Sequence, residues 1–245
     1  IVPIDWSAPE HATTAYRWFM HAALGDAAQF EPLMFKHMPH TLEGTSEKVC
    51  LMLCGPAGVG KTTLWKQLFE EYSDTAFPSE ARAELPAGPW YVIDGDSYCE
   101  QYRSFWEMSP TDNSICSDGA RQSRDSWKEV GLQVALAAGA SLIYPITDNR
   151  AKAQHVQEQA RRCGYHIQMW VLLAEASEVA KRLEHRSQLL GTPPTGTYDA
   201  FYSCYKVILS ECVEDNELTV FTIHNGKRLQ GVGQLQQFLR DMSPQ

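Results

Sequence analysis

The sequence predicts an α/β protein built on a parallel sheet with helices on both faces, and three observations carry that expectation. Short apolar runs alternate with stretches of helical periodicity over most of the chain. The apolar run at 48–54 passes into a glycine-rich turn and then a helical pattern, giving the order strand, loop, helix. With 245 residues, 44% hydrophobic and 21% charged, the chain is the size of one α/β domain and can bury a sizeable core.

Residues 9–38 carry two short helical patterns, with Tyr16, Phe19, Met20 and Ala23 on one face of the first. Such a stripe serves either packing against the core or docking of a partner. "KVCLMLC" (48–54) reads as a buried parallel strand, and Leu64, Trp65, Leu68, Phe69 and Tyr72 then fall on one helix face. The proline-rich stretch 73–89 reads as a surface loop. "WYVID" (90–94) is the second strand, a helical pattern runs through roughly 119–138, and "SLIYPI" (141–146) is the third strand. A helix over 150–163 ends before Gly164, "HIQMWVLL" (166–173) is the fourth strand, and 177–190 is helical. After the loop "GTPPTGT" come a helix over 198–213, a fifth strand "LTVFTI" (218–223) and a closing helix over 232–241. Ligands of such a sheet gather outside the C-terminal ends of its strands.

Composition excludes several classes. A net charge of −9 argues against an extended nucleic-acid partner, which would call for a basic excess. The seven cysteines are scattered and form no CxxC pair, which predicts reduced thiols, no zinc and a cytoplasmic setting or delivery into a host cytosol. His37 and His40 have no second pair and read as a turn. No uninterrupted apolar run reaches the ~20 residues that span a bilayer, so no membrane association is expected. No targeting signal is read within the chain, while what precedes Ile1 stays open.

From Gly55 to Thr62 the chain reads G-x-x-x-x-G-K-T, the spacing of a phosphate-binding loop. Gly55, Gly58 and Gly60 let successive N–H groups converge on one anion. Pro56, Ala57, Val59 and Thr63 complete the expected ATP cradle, with Lys61 reaching the β/γ-phosphates and the Thr62 hydroxyl holding Mg²⁺. A chance glycine-rich turn is the alternative, but the strand before and the helix after supply the setting the motif requires. The expected architecture is a P-loop NTPase- or kinase-like three-layer sandwich around a five-stranded parallel sheet. It spans 1–245 as a single domain, with 1–46 as an N-terminal helical extension and 176–213 as a lid and following helix.

Strand ends supply the other candidates. Asp94 and Asp96 emerge on one side of the chain after strand two, either as a turn or as a catalytic pair. In the second reading Asp94 serves Mg²⁺ and Asp96 takes the acceptor's proton. Thr147 and Arg150 after strand three can hydrogen-bond an acceptor, whereas Asp148 or Asn149 caps the next helix. Arg182 and Arg186 share one helix face, either as a solvated face with Glu178 and Glu184 or as an arginine clamp on the transferring group. His224, Asn225 and Gly226 after strand five can wall an adenine. Neither N-K-x-D nor D-x-x-G occurs, which removes the GTPase reading.

These residues resemble the zeta-toxin family of P-loop kinases over about four-fifths of the chain. The resemblance rests on "GPAGVGKTTL", on "VIDGDSY" and on "LIYPITDNR…RRCGYHIQMWVLLAEASEVAKRLEHR". It implies that Asp96 is the catalytic base, Lys61 and Thr62 the ATP·Mg²⁺ ligands, and Arg186 the principal lid arginine. Thr147 and Arg150 match its substrate loop, and Tyr98 belongs to the same motif as Asp96. Family members phosphorylate a sugar hydroxyl of UDP-N-acetylglucosamine, and many are toxins held by an antitoxin near their N-terminal helices. An antitoxin or chaperone-like partner is therefore expected at 9–38.

Two positions depart from the family. Pro145-Ile146 precede Thr147 where a Glu is usual, and Gly191-Thr192-Pro193 stand where a second lid arginine is common. Arg182 or Lys206 can compensate for the latter. The missing carboxylate leaves the acceptor open between UDP-N-acetylglucosamine, another nucleotide-linked sugar and a dinucleotide such as NAD. A polynucleotide 5′-kinase and a nucleotide-binding interaction module without catalysis remain as alternatives.

Overall fold

The computed structural model describes residues 47–69, 85, 90–95, 128–129, 131–133, 135–147, 149–190, 198–215, 217–224 and 227–242. The chain forms two compact units, one of residues 1–48 and 88–142, the other of residues 49–87 and 143–245. Six strands make one sheet: β1 (Val49–Cys54), β2 (Trp90–Val92), β3 (Ser141–Ile146), β4 (His166–Leu173), β5 (Thr219–His224) and β6 (Lys227–Gln230), in the order β2-β3-β1-β4-β5-β6. The chain leaves β1 for one side of it and later returns to β4 on the other. This reversal makes the C-terminal end of β1 the sheet's switch point, where ligands of doubly wound sheets bind. The glycine loop follows at that end.

In the first unit β2 runs from Trp90 to Val92 and Tyr91 is buried. The expected strand 90–94 is therefore shorter, and Asp94 follows it as a carboxylate only 7% exposed. Residues 128–129, 131–133 and 135–138 are helical, with Leu132, Ala135 and Leu136 buried, in keeping with the pattern read over 119–138. Ser141 at the start of β3 donates its hydroxyl to the Glu47 carbonyl at 3.1 Å.

In the second unit, β1 buries all six side chains, as a continuous apolar run in a parallel sheet must. It pairs parallel with β4 from Val49 opposite His166 to Cys54 opposite Val171, and β4 pairs parallel with β5 from Gln168 opposite Thr219 to Leu173 opposite His224. Among the described residues, helices follow in chain order as α1 (Lys61–Phe69), α2 (Arg150–Arg162), α3 (Ala176–Leu190), α4 (Tyr198–Glu214) and α5 (Gly233–Met242). Neighbouring side chains on both faces of β4 are buried, so the sheet is covered on each side. Met169 meets the Cys212 thiol of α4 at 3.3 Å, while Trp170 meets Phe221 edge-on and the Arg228 guanidinium at 5.0 Å. Edge-to-face rings run from Phe201 through Tyr205 and Phe238 to His224, tying α4, α5 and β5 together.

α2 begins as its sequence dictates. The Asn149 side chain accepts the Lys152 N–H at 3.0 Å, an N-cap, and Ala153, Val156, Gln157 and Ala160 form its buried stripe. Its last turn is held by Arg161, which pairs with Asp215 and, at 3.2 Å, with Glu217.

The strand count departs from the expected five. β6 runs antiparallel to β5, from Phe221 opposite Gln230 to His224 opposite Lys227. Its four residues, "KRLQ", include three polar side chains and carry no apolar run, which is why periodicity alone passes over them. The signal was the Asn225-Gly226 dipeptide between the strands, the strongest short-range mark of a hairpin.

Candidate functional site

The phosphate-binding motif joins the end of β1 to the start of α1, all within the second unit. The Lys61 ammonium donates to the carbonyls of Gly55 at 2.6 Å and Pro56 at 2.9 Å, so its side chain folds back across the loop. Leu64 N–H donates to the Gly60 carbonyl at 2.9 Å, the bond that starts α1. Thr62 and Thr63 are exposed in the first turn, where unpaired N–H groups and the helix dipole favour an anion.

Gly58 holds φ at +79°, and a Cβ added there would lie 2.9 Å from Leu183 Cγ and 3.3 Å from Val179 Cγ1. Leu183 and Val179 belong to α3, so that helix is packed directly on the loop. One residue from Leu183, the Arg182 guanidinium donates to the Val59 carbonyl at 3.1 Å. Glu178, one turn earlier, lies 3.7 Å from Arg182 as a half-exposed pair. Arg186 stands four residues on in the same helix, and its side chain lies outside the described residues.

Beneath the loop the chemistry turns apolar. Cys54, the last residue of β1, is fully buried. Burial above all, and then the neighbouring Cys212 thiol, push its pKa well up, while the Lys61 ammonium opposes them. The thiol stays protonated and acts as a small apolar side chain. Cys54, Ile146, Met169 and Ile208 line a narrow recess to which the exposed Thr147 and Arg150 also contribute. The two residues expected to contact an acceptor thus share a wall with the strand that feeds the loop. The Tyr205 hydroxyl donates to the Leu172 carbonyl at 2.7 Å, and that same carbonyl lies 3.1 Å from where a Gly55 Cβ would be.

Among the remaining candidates, His224 is the last residue of β5, with its ring 5.8 Å from Phe238. Asp96, Tyr98, Asp148 and Asn225 lie outside the described residues, as do His37, His40 and the 9–38 helical patterns. Cys50, Cys54, Cys163, Cys204 and Cys212 are free thiols. The described residues hold no cluster of three or more His, Cys, Asp or Glu side chains suited to a metal, and no helix among them is long and apolar enough to cross a membrane. Sequence reasoning missed the Arg182–Val59 contact, because residues 123 positions apart carry no local signal of meeting.

A family model for the AAA domain matches residues 50–197, over half of the chain and all of the loop and of α3. The chain belongs to the AAA domain family. No curated protein matches the chain closely in sequence. In fold, this AAA domain protein is similar to a structure of the PezAT chromosomal toxin–antitoxin system of Streptococcus pneumoniae. That match has a TM-score of 0.56 at 14% identity and covers 88% of this chain and 91% of that one. It is also similar to the AvrRxo1-ORF1:AvrRxo1-ORF2 complex, in a form with sulphate ions (TM-score 0.50, 12% identity, 89% and 73% covered) and a form with ATP (0.52, 10%, 93% and 77%). The mixed, mostly parallel sheet with a phosphate loop at its switch point is thus a P-loop kinase-like fold.

Proposed function

We propose that the chain is an ATP- and Mg²⁺-dependent kinase that phosphorylates a hydroxyl of a small nucleotide-linked molecule and acts as a toxin- or effector-like enzyme. The observation that carries this reading is the loop itself, with Lys61 folded over the Gly55 and Pro56 carbonyls and an arginine-bearing helix seated on Gly58. A triphosphate needs convergent N–H donors and a cation able to leave its resting contacts for the β/γ-oxygens, and the loop offers both. Fold similarity to a toxin–antitoxin system and to a complex that holds ATP supports the same direction.

In the proposed mechanism Gly55 to Thr63 hold the nucleotide, with Arg182 of the ATP site braced against the loop and Asn225 bordering it. Thr147, Arg150 and Tyr98 orient the acceptor, which is UDP-N-acetylglucosamine, a similar nucleotide-linked sugar or a dinucleotide such as NAD. Asp96 accepts the hydroxyl proton as the acceptor oxygen bonds to the γ-phosphorus. The bond to the bridging oxygen breaks and ADP leaves. Lys61 and Arg186 stabilise charge on the transferring group. The Thr62 hydroxyl and the Asp94 carboxylate are hard oxygen donors of the kind Mg²⁺ takes beside substrate phosphates. Bound Mg²⁺ supplies neutralisation of phosphate charge. An antitoxin or chaperone-like protein packing on the 9–38 helical patterns is the proposed partner.

Incubating the protein with ATP·Mg²⁺ and a mixed pool of metabolites, followed by mass spectrometry, tests the proposal. One nucleotide-linked species gaining a phosphate is the expected result. ATP hydrolysis that no acceptor alters would sink the kinase reading and leave a nucleotide-binding module.

A further inference from the structure

We infer that Arg182 is a positioning residue: its bond to the Val59 carbonyl fixes the Val59–Gly60 peptide so that the Gly60 N–H is presented to bound phosphate. The inference rests on the proposed nucleotide site and assigns Arg182 a role through the backbone in place of direct phosphate contact.

The geometry is specific. The guanidinium donates to the Val59 oxygen at 3.1 Å, and the same nitrogen would lie 3.7 Å from a Cβ on Gly60. In a planar trans peptide the carbonyl and the following N–H point in opposite directions. A Val59 carbonyl turned toward α3 therefore sends the Gly60 N–H away from that helix. Among the described residues this N–H has no hydrogen-bond partner, whereas the Gly60 carbonyl is already taken by Leu64. It adjoins the first-turn N–H groups of α1, which is what a phosphate nest requires.

Among the described residues no backbone hydrogen bond engages the Val59 carbonyl or the Gly60 N–H, although the flanking groups are tied, Val59 N–H to the Pro56 carbonyl at 3.3 Å and Leu64 N–H to the Gly60 carbonyl at 2.9 Å. Gly60 sits at φ +110° and, lacking a Cβ, tolerates either orientation at little cost. A flipped peptide would present a carbonyl oxygen to an anion. The restraint comes from outside the loop, as a charge-assisted bond from a residue 123 positions away. Arg182 is in turn held at the right height by its own helix, because Leu183 and Val179 pack against Gly58.

The test compares Arg182→Met, which keeps an apolar stem and removes the donor, with Arg182→Lys, which keeps a donor. ADP and ATP binding are measured by calorimetry, and the Gly60 amide is followed by NMR in the nucleotide-free protein. We expect Arg182→Met to weaken ADP and ATP by the same factor, about tenfold or more for a lost charged hydrogen bond, and Arg182→Lys to recover most of it. The Gly60 amide resonance should shift in Arg182→Met alone. Loss of ATP affinity with ADP affinity intact would overturn the inference in favour of a direct γ-phosphate contact, and so would an unmoved Gly60 amide. Wild-type protein that binds neither nucleotide would overturn the proposed function itself. Wild-type binding that Arg182→Met leaves unchanged would overturn only the positioning role.

Discussion

Leu183 occupies the space that a side chain on Gly58 would need: a Cβ there would come within 2.9 Å of Leu183 Cγ. The crowded atom is a branch point, so it yields only if the side chain or its helix shifts. Gly58→Ala should therefore lower the melting temperature, with about 1–2 kcal/mol from the left-handed backbone alone and a further contribution from the contact. In Leu183→Ala the space reopens. The double variant should lose less than the sum of the two singles, and strict additivity in a thermal-denaturation cycle would count against the contact.

Lys61→Ala should weaken ATP binding and phosphoryl transfer together, by at least about tenfold each, since the ammonium is the loop's own cation. Calorimetry and a transfer assay on the same preparation decide the matter. Unchanged values in both would remove Lys61 from the cradle.

Asp96→Asn should keep ATP binding while losing transfer by at least ~10²-fold, the usual scale for a general base. The informative readout is the split between nucleotide affinity and turnover. A variant that transfers phosphate at the wild-type rate would strip Asp96 of its assigned role.

Burial pushes the Cys50 thiol from its ordinary 9.0 up to about 12. A thiol that ionises less readily when folded stabilises the fold fully below pH 9, and this contribution is lost as pH rises toward 12, because the unfolded chain can release the proton and the folded chain cannot. The slope is at most about 1.4 kcal/mol per pH unit for one group. Urea midpoints at pH 8 and pH 10.5 should diverge more in wild type than in Cys50→Ala. Equal divergence would show that this thiol does not contribute.

Brief alkylation of the native protein should label Cys163, which is exposed, ahead of Cys50, Cys54, Cys204 and Cys212, which are buried. Peptide mass spectrometry reads the order directly. Rapid labelling of Cys54 would mean that the floor beneath the loop opens to solvent.

Much of the fold could be read from apolar runs because β1, β3 and most of β4 are buried on both faces. β4 falls on the expected residues, His166–Leu173, and the helix beginning at Arg150 is set by Asn149 as its cap. β6 was hidden because "KRLQ" is polar, so its pairing with β5 depends on register rather than on an apolar stripe. β2 ends two residues early, at Val92, since hydrophobicity continues through Ile93 while strand pairing does not. Within the site, the spacing of Gly55, Gly60, Lys61 and Thr62 was legible because the chemistry is local to eight residues. Arg182 was visible as a helix-face arginine, but its bond to Val59 depends on how α3 lands on the loop, which no local pattern encodes.

The complete enclosure of β1 has a practical consequence for anyone redesigning this protein. Hydrogen-bonded to a neighbour on each flank, the strand offers no position where a dye, charge or bulkier group could be grafted without displacing core atoms. Solvent reaches the motif at Ala57, Thr62 and Thr63, so a reporter or altered nucleotide preference has to be introduced there. A mutagenesis library that spares residues 49–54 and randomises those three would keep its losses in folding small, while its Thr62 and Thr63 members would report on the proposed Mg²⁺ and phosphate contacts.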